Sequence, residues 1–370
     1  MPLRLLTAGE SHGPALVGIL EGMPAGLRIG PASIQNELAR RKLGYGRSSR
    51  QGLETDRVEI VSGVRHGRTL GSPIALRIPN ADRSDADRPA LTVPRPGHAD
   101  LAGARKYGFA DLRDVMERAS ARETAARTAL GAVAKSFLEA CGIVVASRVI
   151  GVGRQTDPSA RPGPVSRLNA RADASPVRAT SPTAARRMVR EIERAGRAGD
   201  TLGGVFEVWA EGLPPGLGSY VHWDRRLDGR LAGALMALNG IKAVAVGLGF
   251  EAAALPGSRA LDSYFWKAGR AAYRSNRSGG IDGGVTTGEP LRLCAAMKPL
   301  PTLAKPLPSV DLKTGRAAPA PVLRSDVCAV PAAAVISEAL VALILAEALL
   351  EKTGGDSMGE ILPRLRSLRK

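Results

Sequence analysis

Cysteine, histidine, aromatic side chains and negative charge are all scarce in this 370-residue chain. The three cysteines, Cys141, Cys294 and Cys328, sit in apolar surroundings with no CxxC spacing. That pattern excludes a disulfide framework and a thiolate zinc site, and fits reduced core thiols in the cytoplasm. Aromatics make up only 4% of the residues and no basic stripe interleaves with them, which argues against a surface that stacks nucleic-acid bases. No metal-ligand cluster is visible around the four histidines. Long uncharged apolar runs are missing too. The most hydrophobic stretch, Ala332 to Leu350, is interrupted by Glu338 and Glu347 and reads as a core helix, not a membrane span. The run from Leu3 to Leu6 is too short for a secretion signal. No repeat of about 20 to 50 residues and no regular strand–helix alternation occurs, so solenoid, Rossmann and TIM architectures are set aside.

What the chain has in excess is arginine. Lys and Arg total 52 against 35 Asp and Glu, a net charge of +17, and arginine outnumbers lysine 42 to 10. Arginine clamps phosphate and carboxylate bidentately where lysine acts as a point charge. Small polyanionic ligands held in a cleft are therefore the expected partners, with a general arginine bias adding to the total.

Strand-like runs fall at 58–64, 74–78, 143–152, 204–213, 243–249 and 291–297, and helical runs at Val115–Ala140, Thr183–Ala195, Leu227–Ala237 and Ala332–Leu350. Long helices separated by pairs of strands predict an α+β fold in which helices pack on antiparallel sheets. We expect one domain over residues 1–370. The proline-rich stretch from Arg154 to Pro182 reads as a mobile surface excursion.

The segment GESHG, Gly9 to Gly13, fits the G-x-S-x-G nucleophile elbow of hydrolases. An elbow needs a strand before the serine, a helix after it and an upstream loop for the oxyanion. Only eight residues precede Gly9, and the following PALVGILEGMPAG reads as a strand ending in a turn. Ser11 is thus a poor nucleophile candidate, and its neighbour His12 draws the interest.

Four further segments concentrate unusual residues. ARRKLGYGRSSR (39–50) surrounds a flexible turn with Arg40, Arg41, Arg47 and Arg50. RPGHADLAGARKYG (95–108) puts His98 in a polar loop, where an imidazole suits acid–base work. ERASARETAARTALG (117–131) opens a helix with small residues; Ser120 is a cap or anion contact, and Arg118 and Arg122, four apart, are expected to share a face. The glycine-rich SNRSGGIDGGVTTGEP (275–290) lacks the GK[ST] of a Walker loop, but can form an anion nest with KPLPT (298–302) as a rigid rim. GLGFEA (247–252) leaves no room for the helix of a dinucleotide fingerprint. Such a set suits elimination or transfer on a phosphorylated, carboxylated metabolite.

GESHG, RRKLGYGR, RPGHAD, ERASARETA, GDTLGG, SNRSGGIDGG, MKPLPT and RSD, in this order from residue 9 to 326, closely resemble the chorismate synthase family. The resemblance implies helices sandwiched between antiparallel sheets, a homotetramer, and elimination of phosphate from 5-enolpyruvylshikimate 3-phosphate with reduced FMN. It makes His12 the acid for the departing phosphate and His98 a proton holder near the flavin, with Ser11 and Asp326 relaying the ring proton. Arg41, Arg47, Arg95, Arg122 and Arg324 would grip substrate, Arg41 and Arg47 being also the family's NADP positions. FMN contacts would come from Arg118, Ala119, Ser120, Asn239, Gly240, Gly283, Arg324 and the run Lys298, Pro299, Leu300, Pro301, Thr302. Ala119 stands where the family commonly has serine, leaving only backbone contact there, and Ala243 and Ala245 replace a glycine and a glutamate. No flavin-reductase segment is present, so an external NAD(P)H-dependent reductase is expected to supply the reduced FMN. The alternatives are another flavin-dependent lyase on the same scaffold, or a non-catalytic basic anion- or RNA-binding protein.

Overall fold

The computed structural model describes residues 3–48, 50–82, 89–158 and 163–369. Ser49 of the basic loop and residues 159–162 of the proline-rich stretch lie outside the described residues. One sheet contains β1 (Arg4–Ala8), β2 (Ala15–Glu21), β3 (Glu59–Ser62) and β4 (Ile74–Pro79), in the order β1-β2-β4-β3. A second contains β5 (Val144–Val152), β6 (Gln155–Thr156), β7 (Gly204–Glu211), β8 (Ile241–Val246) and β9 (Leu291–Met297), in the order β8-β9-β7-β5-β6. All of these pairings are antiparallel. PALVGILEG thus forms a strand, and no helix follows Ser11.

The period of two in β2 and β4 decides which face is buried. Leu16 and Leu20, with Ile74, Leu76 and Ile78, turn inward, while Ile19 and Arg77 turn out. Against the inner faces lie the long helices: α1 (Pro31–Lys42), α4 (Thr124–Ala140) and α8 (Val330–Thr353), with α7 (Leu227–Met236) beside α8. Helix α4 packs on β2 and β4, α8 packs on β5 and β7, and the two helices lie against each other. They close tightly because Gly131 has no side chain: a Cβ there would sit 2.3 Å from that of Ala339. The result is the expected sandwich of helices between antiparallel sheets, with one hydrophobic cluster running from Leu16 to Leu365.

Helix α8 is long and apolar enough for a membrane span, yet it is the buried centre of this fold. Its Glu338 is fully buried and receives Arg40, Lys135, Arg178, Ser147 and Asn169. Burial opposes ionisation of Glu338, but the three cations overcome it and hold the carboxyl well below its ordinary range.

Two expectations need correction. The stretch 154–182 is not a surface excursion where it is described. The outer face of the second sheet carries Ala146 and Trp209, and Val165 and Leu168 cover it, the latter starting α5 (Leu168–Asp173). Arg178 then passes into the core to reach Glu338. The helix expected over Val115–Ala140 is also broken. Helix α3 (Arg113–Ala119) ends at Ser120, whose extended backbone (ψ 140°) leads into a 3-10 turn before α4. Ser120 Oγ caps that turn by accepting from the Arg122 N–H at 3.2 Å. The break sends Arg118 to the surface and buries Arg122, so the two arginines do not share a face.

Candidate active site

The GESHG loop joins β1 to β2 and is tied down from three sides. Gly9, at φ +102°, passes so close to β2 that a Cβ would lie 2.3 Å from the Ala15 carbonyl oxygen. Asn80, just after β4, donates from Nδ2 to the carbonyls of Glu10 (3.0 Å) and Gly13 (2.8 Å). Arg118 donates to the Gly9 and Thr7 carbonyls.

Glu117, at the end of α3, grips the loop itself. Its carbonyl accepts the Ser11 N–H at 3.0 Å, one carboxylate oxygen accepts the His12 N–H at 2.7 Å, and the other lies 2.7 Å from His12 Nδ1. His12 Nε2 is 3.8 Å from an Asp82 oxygen, and Arg324 Nη2 is 3.3 Å from that same oxygen. Ser11 Oγ, buried, is 3.2 Å from Ser120 Oγ.

His98 is built on the same plan. It sits in the turn before α2 (Asp100–Tyr107), with Nδ1 against Asp100 Oδ1 and against Arg95 Nη2, the latter at 3.0 Å. Burial would raise the Asp100 carboxyl, but hydrogen bonds from His98 and Arg95 outweigh it and hold the group well below its usual range. Arg95 continues to Thr302 Oγ1 at 3.1 Å, which brings KPLPT to the histidine. Lys298 Nζ donates to the Gly97 carbonyl, and its N–H donates to Gly240 at 2.9 Å. Asn239 beside it donates to the Ala119 carbonyl at 3.1 Å. A groove of about 230 Å³ lies between Pro96, Gly97, Thr201, Lys298 and Pro301. A larger concavity of about 750 Å³, around Arg28, His66 and Arg68, contains none of the candidate residues.

A bank of arginines backs the two histidines. Arg122 reaches Asn80 Oδ1, Asp56 and Glu54, and Arg41 reaches Thr124 Oγ1, the Ala121 carbonyl and Asp56. Both are buried and held by their own carboxylates, so they brace the site from behind its surface. Burial, only partly offset by Asp56 and compounded by Arg47 and Arg122, pulls the Arg41 guanidinium down to about 10. Arg47 pairs with Asp326 at 2.9 Å, and the other Asp326 oxygen takes the Ser48 N–H at 2.6 Å. Lys298 is likewise lowered by burial and by the neighbouring Lys242. Such a concentration of guanidinium and ammonium groups suits an anion.

Gly283 is the candidate that this chain does not bring in, and the expected glycine nest fails with it. Gly279 and Gly280 are close-packed on Gly247 and on the Glu289 and Pro290 carbonyls, at the start of β9. Gly283 lies in an exposed hairpin bonded to the start of α7. KPLPT leaves the far end of β9, a seven-residue strand or roughly 20 Å away. Glu117, Asn80, Asp82 and Thr201 escaped the sequence reading. Glu117 heads the ERASARETA segment and Thr201 lies in GDTLGG, but nothing local in the sequence marks Asn80 or Asp82.

Two imidazoles each set on a carboxylate, in a cleft lined by arginine and lysine, define an acid–base enzyme for a multiply anionic substrate. Among the described residues no group of His, Cys, Asp and Glu could hold a metal ion. A sequence model of the chorismate synthase family matches residues 3–350, and the chain belongs to that family. It is 53% identical to the chorismate synthase of Leifsonia xyli subsp. xyli, over 98% of this chain and 95% of that protein. It is 51% identical to that of Thermobifida fusca, over 98% of each. A crystal structure of chorismate synthase superimposes with a TM-score of 0.83 at 43% identity, covering 99% of this chain and 97% of the other. The chain is a carbon–oxygen lyase of the shikimate pathway. Its reaction is the 1,4-anti elimination of phosphate from 5-enolpyruvylshikimate 3-phosphate to give chorismate, with reduced FMN and no net redox change.

Proposed function

We propose that His12 is the general acid of this elimination, giving its Nε2 proton to the phosphate as the C–O bond breaks and the electron pair leaves with the oxygen. The observation that carries the reading is the Nε2 atom facing Asp82 and Arg324, with Nδ1 engaged by Glu117. Arg324 and Arg47 grip the anionic groups directly, while Arg41 and Arg122 contribute from behind. Arg95 positions His98, which holds a proton beside KPLPT. Ser11 Oγ, and Asp326 beside Arg47, help relay the proton lost from the ring.

The residues fit FMN. Among the described residues, Asn239 Oδ1 and Arg47 Nε are buried with no hydrogen-bond partner, one an acceptor and one a donor, which suits a group rich in both. Asn239, Gly240, Ala119, Ser120 and Lys298 to Thr302 would hold it. Bound and reduced, it would supply an electron-rich ring to the elimination. We propose further that an external NAD(P)H-dependent reductase supplies reduced flavin and that the chain works in the cytoplasm as a single-domain protomer of a homotetramer. Assembly would give the exposed Gly283 access to a flavin site other than its own chain's.

An anaerobic assay with reduced FMN and 5-enolpyruvylshikimate 3-phosphate tests the reading. Release of phosphate and chorismate is expected with the wild type and not with His12→Ala; equal rates for the two remove His12 from the mechanism.

A further inference from the structure

We infer that Glu117 is the positioning residue of His12: it holds the Nδ1 proton of the imidazolium, so that the proton on Nε2 is the one presented to the leaving phosphate and the neutral ring left behind keeps its proton on Nδ1. The inference rests on the reading of His12 as the acid. Glu117 touches His12 twice, at Nδ1 and at the backbone N–H, both at 2.7 Å, and holds Ser11 through its carbonyl. An ionised carboxylate only accepts hydrogen bonds, so its contact with Nδ1 requires a proton there. The same contact sets the ring plane and leaves Nε2 as the variable position.

The surroundings give that orientation a purpose. The carboxylate and the imidazole are each less than one-fifth exposed, so the contact is shielded from competing water. On the Nε2 side, Asp82 and Arg324 meet at one oxygen, an anion neutralised by a guanidinium where a substrate phosphate would need to sit. Glu10 belongs to the same loop, and the Arg118 guanidinium is turned to the Gly9 and Thr7 carbonyls. A simple loop brace would need only the two backbone contacts; the third, to Nδ1, selects a tautomer. His98 likewise has its Nδ1 set on a carboxylate, that of Asp100.

The test is nitrogen-15 NMR of histidine-labelled protein, with His12 assigned by comparison with His12→Ala, alongside anaerobic kinetics. Neutral His12 in the wild type should carry its proton on Nδ1. Glu117→Gln should shift that proton toward Nε2 and lower kcat at least about tenfold, with KM for the substrate within about twofold, as expected when a misplaced tautomer costs chemistry and not binding. Glu117→Asp should restore the Nδ1 tautomer and part of kcat. Wild-type His12 protonated on Nε2 overturns the inference even if Glu117→Gln fails to fold, and so does a Glu117→Gln protein with unchanged tautomer and kcat. Full turnover by His12→Ala would sink the acid assignment while leaving the tautomer result intact, so the two failures are distinguishable.

Discussion

Asn80 Oδ1 accepts the Nε–H of the buried Arg122 at 3.0 Å, while its Nδ2 holds the loop that carries His12. One amide therefore couples the catalytic loop to the charge bank behind it. Asn80→Ala should lower stability by about 2 kcal/mol, because it leaves a guanidinium N–H and two carbonyls unpaired. Turnover should fall at least about tenfold as the loop loosens. Thermal denaturation and anaerobic kinetics check both, and a variant with native melting and native rate would refute the coupling.

The two histidines should be separately essential. His12→Ala and His98→Ala are each expected to reduce kcat by about 10²–10⁴, the usual worth of a positioned acid or base. Near-normal turnover in either removes that residue from the proton path.

Asp100 is fully buried and held ionised by His98 and Arg95. Its carboxyl lies below the unfolded value, so its contribution to stability is complete above the ordinary aspartate range near about pH 4 and is lost as pH falls through the lower folded value. Asp100→Asn should be less stable than wild type by about 3 kcal/mol at neutral pH. That difference should shrink only on strong acidification. Denaturant melts from neutral pH downward decide it: a gap that grows with acidification contradicts the assignment.

The close approach of α4 to α8 depends on Gly131. Gly131→Ala should cost about 1–3 kcal/mol by overpacking, since the new Cβ would meet Ala339 Cβ at 2.3 Å and its backbone carbonyl oxygen at 2.7 Å. Adding Ala339→Gly should recover only part of the loss, because the clash with the residue 339 backbone remains. Urea unfolding of the single and double variants measures this, and an unchanged midpoint for Gly131→Ala would show that the helices part freely.

Most of the secondary structure was legible because its signals are local. Period-two runs such as 291–297 became strands, and the apolar run around Glu338 became the core helix. The family, too, was legible from eight ordered motifs, since glycine, histidine and arginine at fixed spacing leave a trace in the chain itself. The tertiary structure alone decided which of those residues meet. Ser120 breaks a helix that reads as continuous and separates Arg118 from Arg122. The length of β9 keeps Gly283 from KPLPT. Glu117 and Asn80 reach the loop across 105 and 70 residues. Those meetings arise when β2 pairs with β4 and α3 packs beside the loop, and a carboxylate or an amide has no local pattern that names its distant partner.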